Sequence, residues 1–170
     1  MAERAETVGR FVTNSTPFVL GLFGVIALAL PVRLAEGIVP MPILPLVMIY
    51  FWTLYEPEKL PASLVFVLGL LQDALGGGPF GLWSMVYLLV QYGVLSQRGY
   101  FLGRDMKVVW LGFAIVAVTS GIFVWLVLSL IARGLLPLSG ISVQILVTIC
   151  VYPLLGAGFR TIRRTVLADS

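Results

Sequence analysis

Long apolar runs, interrupted at short intervals by charges, prolines and glycines, set the pattern of this chain. Crossing a bilayer as a helix takes about 20 mostly apolar residues. The runs resolve into six such segments, near residues 16–34, 41–55, 60–75, 80–95, 108–131 and 138–159. The second, third and fourth are short for a full crossing, so they are expected to borrow flanking residues, thin the bilayer locally, or not all be simple spans. Ala27-Leu28-Ala29 mimics a small-residue cleavage site after an apolar run, but the segment is read as a retained first span. Every connection is short, which leaves no room for a soluble domain. The expectation is an all-α integral membrane protein, one polytopic unit over residues 1–170.

Composition agrees with the pattern. Hydrophobic residues make up 59% of the chain, charged ones 11%, and the mean hydropathy is +1.04. A soluble domain carries about 25% charge. The placement of the charges adds a topology. With a cytoplasmic N-terminus, six spans put Arg4, Arg10, Lys59, Arg98, Arg104, Lys107, Arg160, Arg163 and Arg164 inside, and only Arg33 and Arg133 outside. Nine against two is the asymmetry expected of an N-in, C-in protein, and one span more or fewer spoils it.

The chain offers little for chemistry. It has no histidine, and its single cysteine, Cys150, lies in an apolar stretch and is expected to be a buried thiol, so no metal site, disulfide or cofactor is expected. No phosphate-loop lysine follows the glycines, and no Ser/Lys or Cys/His arrangement is placed to attack a substrate, so the protein is not expected to be an enzyme. The net charge of +3 comes without a basic run interleaved with aromatics, so no nucleic acid is expected either.

One polar residue stands out. Asp73 lies inside the run Leu70-Leu71-Gln72-Asp73-Ala74-Leu75, just before Gly76-Gly77-Gly78-Pro79. A carboxylate at hydrocarbon depth costs about 2.5 to 3.5 kcal/mol even on lenient insertion scales, so it requires a partner. It also opposes the dipole of the helix it ends. The glycines can turn the chain tightly, and a fourth helix starting near Phe80-Gly81 presents free N–H groups that attract an anion. Asp73 is therefore expected to bind that N-terminal turn, or a cation at similar depth. Depth matching adds Arg33, Ser84, Tyr87, Arg133 and Gln144 as further candidates, although Glu36 can satisfy Arg33 locally.

Other polar residues fall in rows. Gly140, Gln144, Thr148, Tyr152 and Gly156 recur at intervals of four on the sixth span, and Ser84, Tyr87 and Gln91 share a face of the fourth. Such rows suit interhelical packing first and a solute pathway second. Gly69, Gly76 and Gly77 are expected to let another backbone approach Asp73. Pro153 is expected to kink the sixth span and free a carbonyl for a nearby Thr or water. Tyr50, Phe51, Trp52 and Tyr55 are read as an aromatic belt at the cytoplasmic interface.

The stretch Ile49-Tyr50-Phe51-Trp52-Thr53-Leu54-Tyr55-Glu56-Pro57-Glu58-Lys59-Leu60-Pro61, followed by Gly69-Leu70-Leu71-Gln72-Asp73-Ala74-Leu75 and Gly76-Gly77-Gly78-Pro79-Phe80-Gly81-Leu82, resembles the signature of the rod shape-determining MreD family. The specific match covers about residues 45 to 90, with Gln72 at a variable position and a longer glycine run than the pattern leads one to expect. The resemblance implies a multi-pass subunit of the bacterial inner membrane, in the cell-elongation machinery. It implies binding to the transmembrane helix of MreC, indirect action on RodA and its class B penicillin-binding protein, and coordination with MreB filaments. It also implies a fold similar to the substrate-binding subunits of energy-coupling-factor transporters. Two readings follow: a non-enzymatic subunit that helps regulate lateral peptidoglycan synthesis and cell shape, with Asp73, Gly69, Gly76, Gly77, Pro79 and Gly81 as structural positions, or a small-molecule-binding transporter subunit whose pocket is lined by Asp73, Gln144, Thr148 and Tyr152.

Overall fold

The computed structural model describes residues 2–29 and 40–167, with side chains described over 16–29 and 40–158. Within them the chain forms six α-helices and no strand: α1 (Ala2–Ala29), α2 (Leu44–Tyr55), α3 (Ala62–Gly76), α4 (Leu82–Phe101), α5 (Met106–Ile131) and α6 (Leu138–Leu167). A short 3-10 turn, Pro57–Lys59, links α2 to α3. The helices coincide with the six apolar segments, but α1 starts well before Thr16 and runs through Pro17, while α4 extends to Phe101. Arg33 and Glu36 lie outside the described residues.

Among the described residues two helices are long and apolar enough to cross a membrane by length and composition, Met106–Ile131 and Leu138–Gly158. By contrast α2, with 12 residues, extends only about 18 Å. Its burial explains how so short a helix is held. Ten of its twelve residues, Pro45 to Leu54, are buried, and it packs on α1, α4, α5 and α6. A helix that is apolar on every side has no face to give to solvent and is most stable at the centre of the bundle.

This overturns one expectation. Tyr50, Phe51 and Trp52 do not form an interfacial belt: each is at most 2% exposed, inside the core. Tyr50 meets Phe113 and Tyr152 edge-on, at 5.3 and 5.7 Å between ring centroids, and Phe113 stacks on Tyr152 at 4.3 Å. Edge-on and stacked aromatic pairs of this kind contribute beyond the area they bury. Only Tyr55, at the end of α2, is half-buried. Cys150 corrects a second expectation, since the free thiol is exposed on α6.

The outer helices form two antiparallel hairpins. The more extensively packed is α3 with α4, and the second is α5 with α6. In the second, a Cβ on Gly121 would meet Cδ1 of Ile145 at 2.0 Å, so the glycine lets α6 come close. The ends of the hairpin are fixed by indole groups. Trp125 Nε1 donates to the carbonyl of Leu136 at 2.9 Å, beside a 3.3 Å bond from the Leu136 N–H to Ser129 Oγ.

Trp110 does the same work further along. α6 continues as a helix through Pro153. Proline has no N–H, so the carbonyl four residues earlier, on Ile149, loses its helical donor. Trp110 Nε1 supplies one at 3.0 Å. The carbonyl that Pro153 frees is thus satisfied from α5 rather than by a nearby Thr, which removes the cost of an unpaired carbonyl.

Trp110→Phe is expected to lower stability in detergent by about 1 kcal/mol. In a Pro153→Ala background the restored N–H can serve Ile149, so the same change should cost little. A double-mutant cycle of unfolding midpoints measures this, and equal costs in both backgrounds would contradict the pairing.

Candidate functional site

The hairpin of α3 and α4 is built around its turn. α3 ends at Gly76, and Gly77 takes φ 67°, the left-handed conformation that closes a helix and that glycine adopts without strain. Gly81, with φ 91°, immediately precedes α4. The first N–H groups of a helix have no acceptor within it, and a side chain at the position before the helix normally supplies one. Glycine has no side chain to offer.

Asp73 supplies it from the preceding helix. Its Oδ2 accepts the N–H of Gly81 at 2.8 Å and its Oδ1 accepts the N–H of Trp83 at 3.1 Å. The residue is 1% exposed. A buried carboxylate thereby receives two charge-assisted hydrogen bonds and the favourable end of the α4 dipole, which offset its unfavourable position at the end of α3. This is the partner expected from the glycine turn. Pro79 belongs to the same turn, its carbonyl accepting the Leu82 N–H at 3.3 Å.

Close approach makes the cap reachable. A Cβ on Gly69 would lie 2.3 Å from Cα and 2.5 Å from N of Ser84, so at this point the α3 and α4 backbones are in contact. Ser84 Oγ donates to the carbonyl of Phe66 at 3.2 Å across the same contact. Gly76 and Gly77 do not share this role: a Cβ at either meets nothing within 4 Å. The expected approach of backbones beside Asp73 therefore rests on Gly69 alone of the three, while Gly77 and Gly81 are required for their positive φ.

The polar face of α4 continues the seam. The Tyr87 hydroxyl donates to Oε1 of Gln72, and Gln91 Nε2 donates to the carbonyl of Leu60 at 2.7 Å. Arg98 Nε then donates to the carbonyl of Leu54 at 2.8 Å, tying the far end of α4 to the end of α2. Gln72, which the motif marks only as variable, is thus a buried member of the seam. Its polarity within an apolar run was the available signal.

The row on α6 serves a different joint. Gln144 Nε2 donates to the carbonyl of Met41 at 3.0 Å, and Thr148 Oγ1 accepts the N–H of Ile43 at 3.0 Å while donating to the carbonyl of Gln144 at 2.7 Å. Both side chains satisfy the backbone leading into α2, where side-chain capping from α2 itself is lacking. Tyr152 belongs to the aromatic cluster, and its oxygen is buried. Gly140 borders open space, whereas Gly156 faces Met106 Cε. Arg133 is exposed after α5 with φ 52° and is not one of Asp73's two observed donors. Of the residues expected around Asp73, Ser84 and Tyr87 therefore lie in the seam of α3 and α4, and Gln144 lies where α6 meets the start of α2.

Among the described residues, grooves that are almost wholly apolar open between helices at two places. One, of about 250 Å³, runs between α4 and α5 along Val86, Leu89, Val90, Gly93, Ile115, Val116, Thr119, Ser120 and Phe123. The other, of about 310 Å³, lies between α5 and α6 and includes Trp125, Leu138, Ser142 and Ile149. Trp52 Nε1 and Thr53 Oγ1 are buried without a hydrogen-bond partner among the described residues, and neither lines a groove.

Among the described residues the chain is all helical, with two helices long and apolar enough to cross a membrane and polar side chains turned onto its own backbone, the make-up of a helical membrane protein. A model of the family described as rod shape-determining protein MreD matches residues 7–157, and the chain belongs to that family. No curated protein and no solved structure matches it. The family determines rod shape at the membrane and is not a known enzyme family.

Two substitutions probe the seam. Gly69→Ala forces α3 and α4 apart and is expected to cost at least about 1 to 3 kcal/mol. Asp73→Leu leaves two N–H groups without an acceptor and is expected to cost about 2 kcal/mol or more, with Asp73→Asn intermediate. Thermal unfolding in detergent checks both, and an unchanged midpoint for Asp73→Leu would contradict the capping role.

Proposed function

We propose that the chain is a non-enzymatic subunit of the bacterial rod complex, spanning the inner membrane six times with both termini in the cytoplasm. In this reading it is one polytopic unit that binds the transmembrane helix of MreC and helps regulate lateral peptidoglycan synthesis and cell shape. RodA and its class B penicillin-binding protein are reached through MreC. The cytoplasmic connection between α4 and α5 faces lipid headgroups or MreB filaments. Arg104 lies over the Tyr100 ring at 5.1 Å, and Lys107 is exposed beside it. Such juxtamembrane basic residues are attracted to anionic headgroups.

The observation that carries this reading is where the polar side chains go. Asp73, Ser84, Gln91, Gln144 and Thr148 each bond a backbone group of this chain, and Tyr87 bonds Gln72. A solute site calls for a few polar groups converging on one cavity. Here they close helix ends and seams, and what remains open at the surface is apolar. That arrangement supports a subunit whose work is to hold other helices in the bilayer. The transporter reading lacks a comparable observation.

The test is recovery of co-expressed MreC with the wild-type chain, Asp73→Asn and Asp73→Leu at matched membrane levels. Recovery is expected to fall for Asp73→Leu and less for Asp73→Asn, in step with their loss of stability. Full recovery by both variants, together with lost elongation, would assign Asp73 a role beyond packing. Uptake of a solute that depends on Asp73 would overturn the subunit reading.

A further inference from the structure

We propose that the groove between α4 and α5 is the seat of a single transmembrane helix from another protein, which crosses Gly93 closely and hydrogen-bonds Ser120. The inference deepens the proposed function, on which it rests, by assigning the surface and the chemistry of the contact.

Ser120 is the first observation. It is 5% exposed, lines the groove, and has no hydrogen bond to its hydroxyl among the described residues. Hydroxyls on apolar helices ordinarily bond back to their own helix four residues earlier. The neighbouring Thr119 does so to Ile115 at 2.8 Å, and Ser142 on α6 does so to Leu138 at 2.7 Å. Ser120 instead leaves its hydroxyl at the groove, near the midpoint of α5, where the bilayer core has no water to serve it.

Gly93 is the second observation. It lies near the midpoint of α4 and lines the same groove, and a Cβ placed on it meets no atom within 4 Å. Its lack of a side chain is therefore not needed for packing within this chain. Small residues at a helix surface in lipid allow a partner backbone to approach. α4 and α5 are joined at the cytoplasmic-loop end, where the Phe101 ring packs on Gly112, and buried Val86 and Val90 line the groove between them.

These features select the occupant. An acyl chain would fill the apolar space but cannot accept or donate a hydrogen bond to Ser120. A symmetric contact between two copies would set one concave groove against another and leave both unfilled. A helix with a small residue opposite Gly93 and a hydrogen-bonding side chain level with Ser120 fits both observations. The groove between α5 and α6 makes no such demand, because Trp125 and Ser142 are already bonded within the chain.

The experiment uses the full-length chain and co-expressed MreC as the probe. Gly93→Trp puts a bulky ring at a groove position where a Cβ meets nothing within 4 Å, and is expected to reduce MreC recovery roughly tenfold or more, the effect of blocking an interface centre. Gly140→Trp, at another open glycine, should leave recovery unchanged. Ser120→Ala should reduce recovery about threefold, the size of an average interhelical hydrogen bond in lipid. In a Cys150→Ser background, Gly93→Cys and Leu89→Cys should crosslink to cysteines placed along the MreC helix, and Leu146→Cys on α6 should not. This second readout holds if Gly93→Trp fails to fold. Wild-type recovery with Gly93→Trp recovery equal to it, or crosslinks between two copies of this chain, would overturn the groove assignment alone. If the wild-type chain recovers no MreC, the proposed function falls and takes the assignment with it.

Discussion

Two N–H groups at the start of α4 have no acceptor in their own helix, and the carboxylate of Asp73 takes both. In water, solvent would serve such groups; beside a carboxylate that is 1% exposed they must be satisfied within the protein. That single requirement accounts for the hairpin. The carboxylate can reach Gly81 and Trp83 only if α3 and α4 are in backbone contact, which Gly69 permits, and only if the chain reverses through left-handed residues, which Gly77 and Gly81 provide. A costly charge, a close approach and a glycine turn are thus one arrangement.

The same requirement repeats at each joint. Gln91 and Arg98 serve carbonyls at the ends of their neighbours, Gln144 and Thr148 serve the backbone leading into α2, and Trp110 serves the carbonyl that Pro153 leaves free. Around them the buried α2 supplies the apolar centre. The outcome is a protein whose polar side chains are largely turned inward to fix helix ends, and whose surface between helices is apolar. This is consistent with a shape-determining membrane protein of the MreD family.

Much of this was legible from the chain, and the gaps have physical causes. The helices follow from apolar run length and from the Pro and Gly breaks. The partner of Asp73 follows from local chemistry, since the turn and the free helix start lie within ten residues of it. The aromatic run of α2 misled because the usual clue fails in lipid. An apolar face is no longer a buried face, so Trp52 against protein and Trp52 against an interface look alike. Gly69 and Gly76 are identical in composition terms, and only the crossing of α3 with α4 separates the one that needs to be glycine. The Pro153 carbonyl could be anticipated, but its donor lies 39 residues earlier on another helix and is set by tertiary structure.

Asp73 holds the start of α4. Amide hydrogen exchange at Gly81 and Trp83, measured with the protein in lipid bilayers, tests it most directly. Both amides should exchange slowly in the wild type and at least about tenfold faster in Asp73→Leu, as expected when a local hydrogen bond is lost, while amides in the middle of α2 keep their rates. Equal exchange at Gly81 and Trp83 in the two proteins would contradict the account.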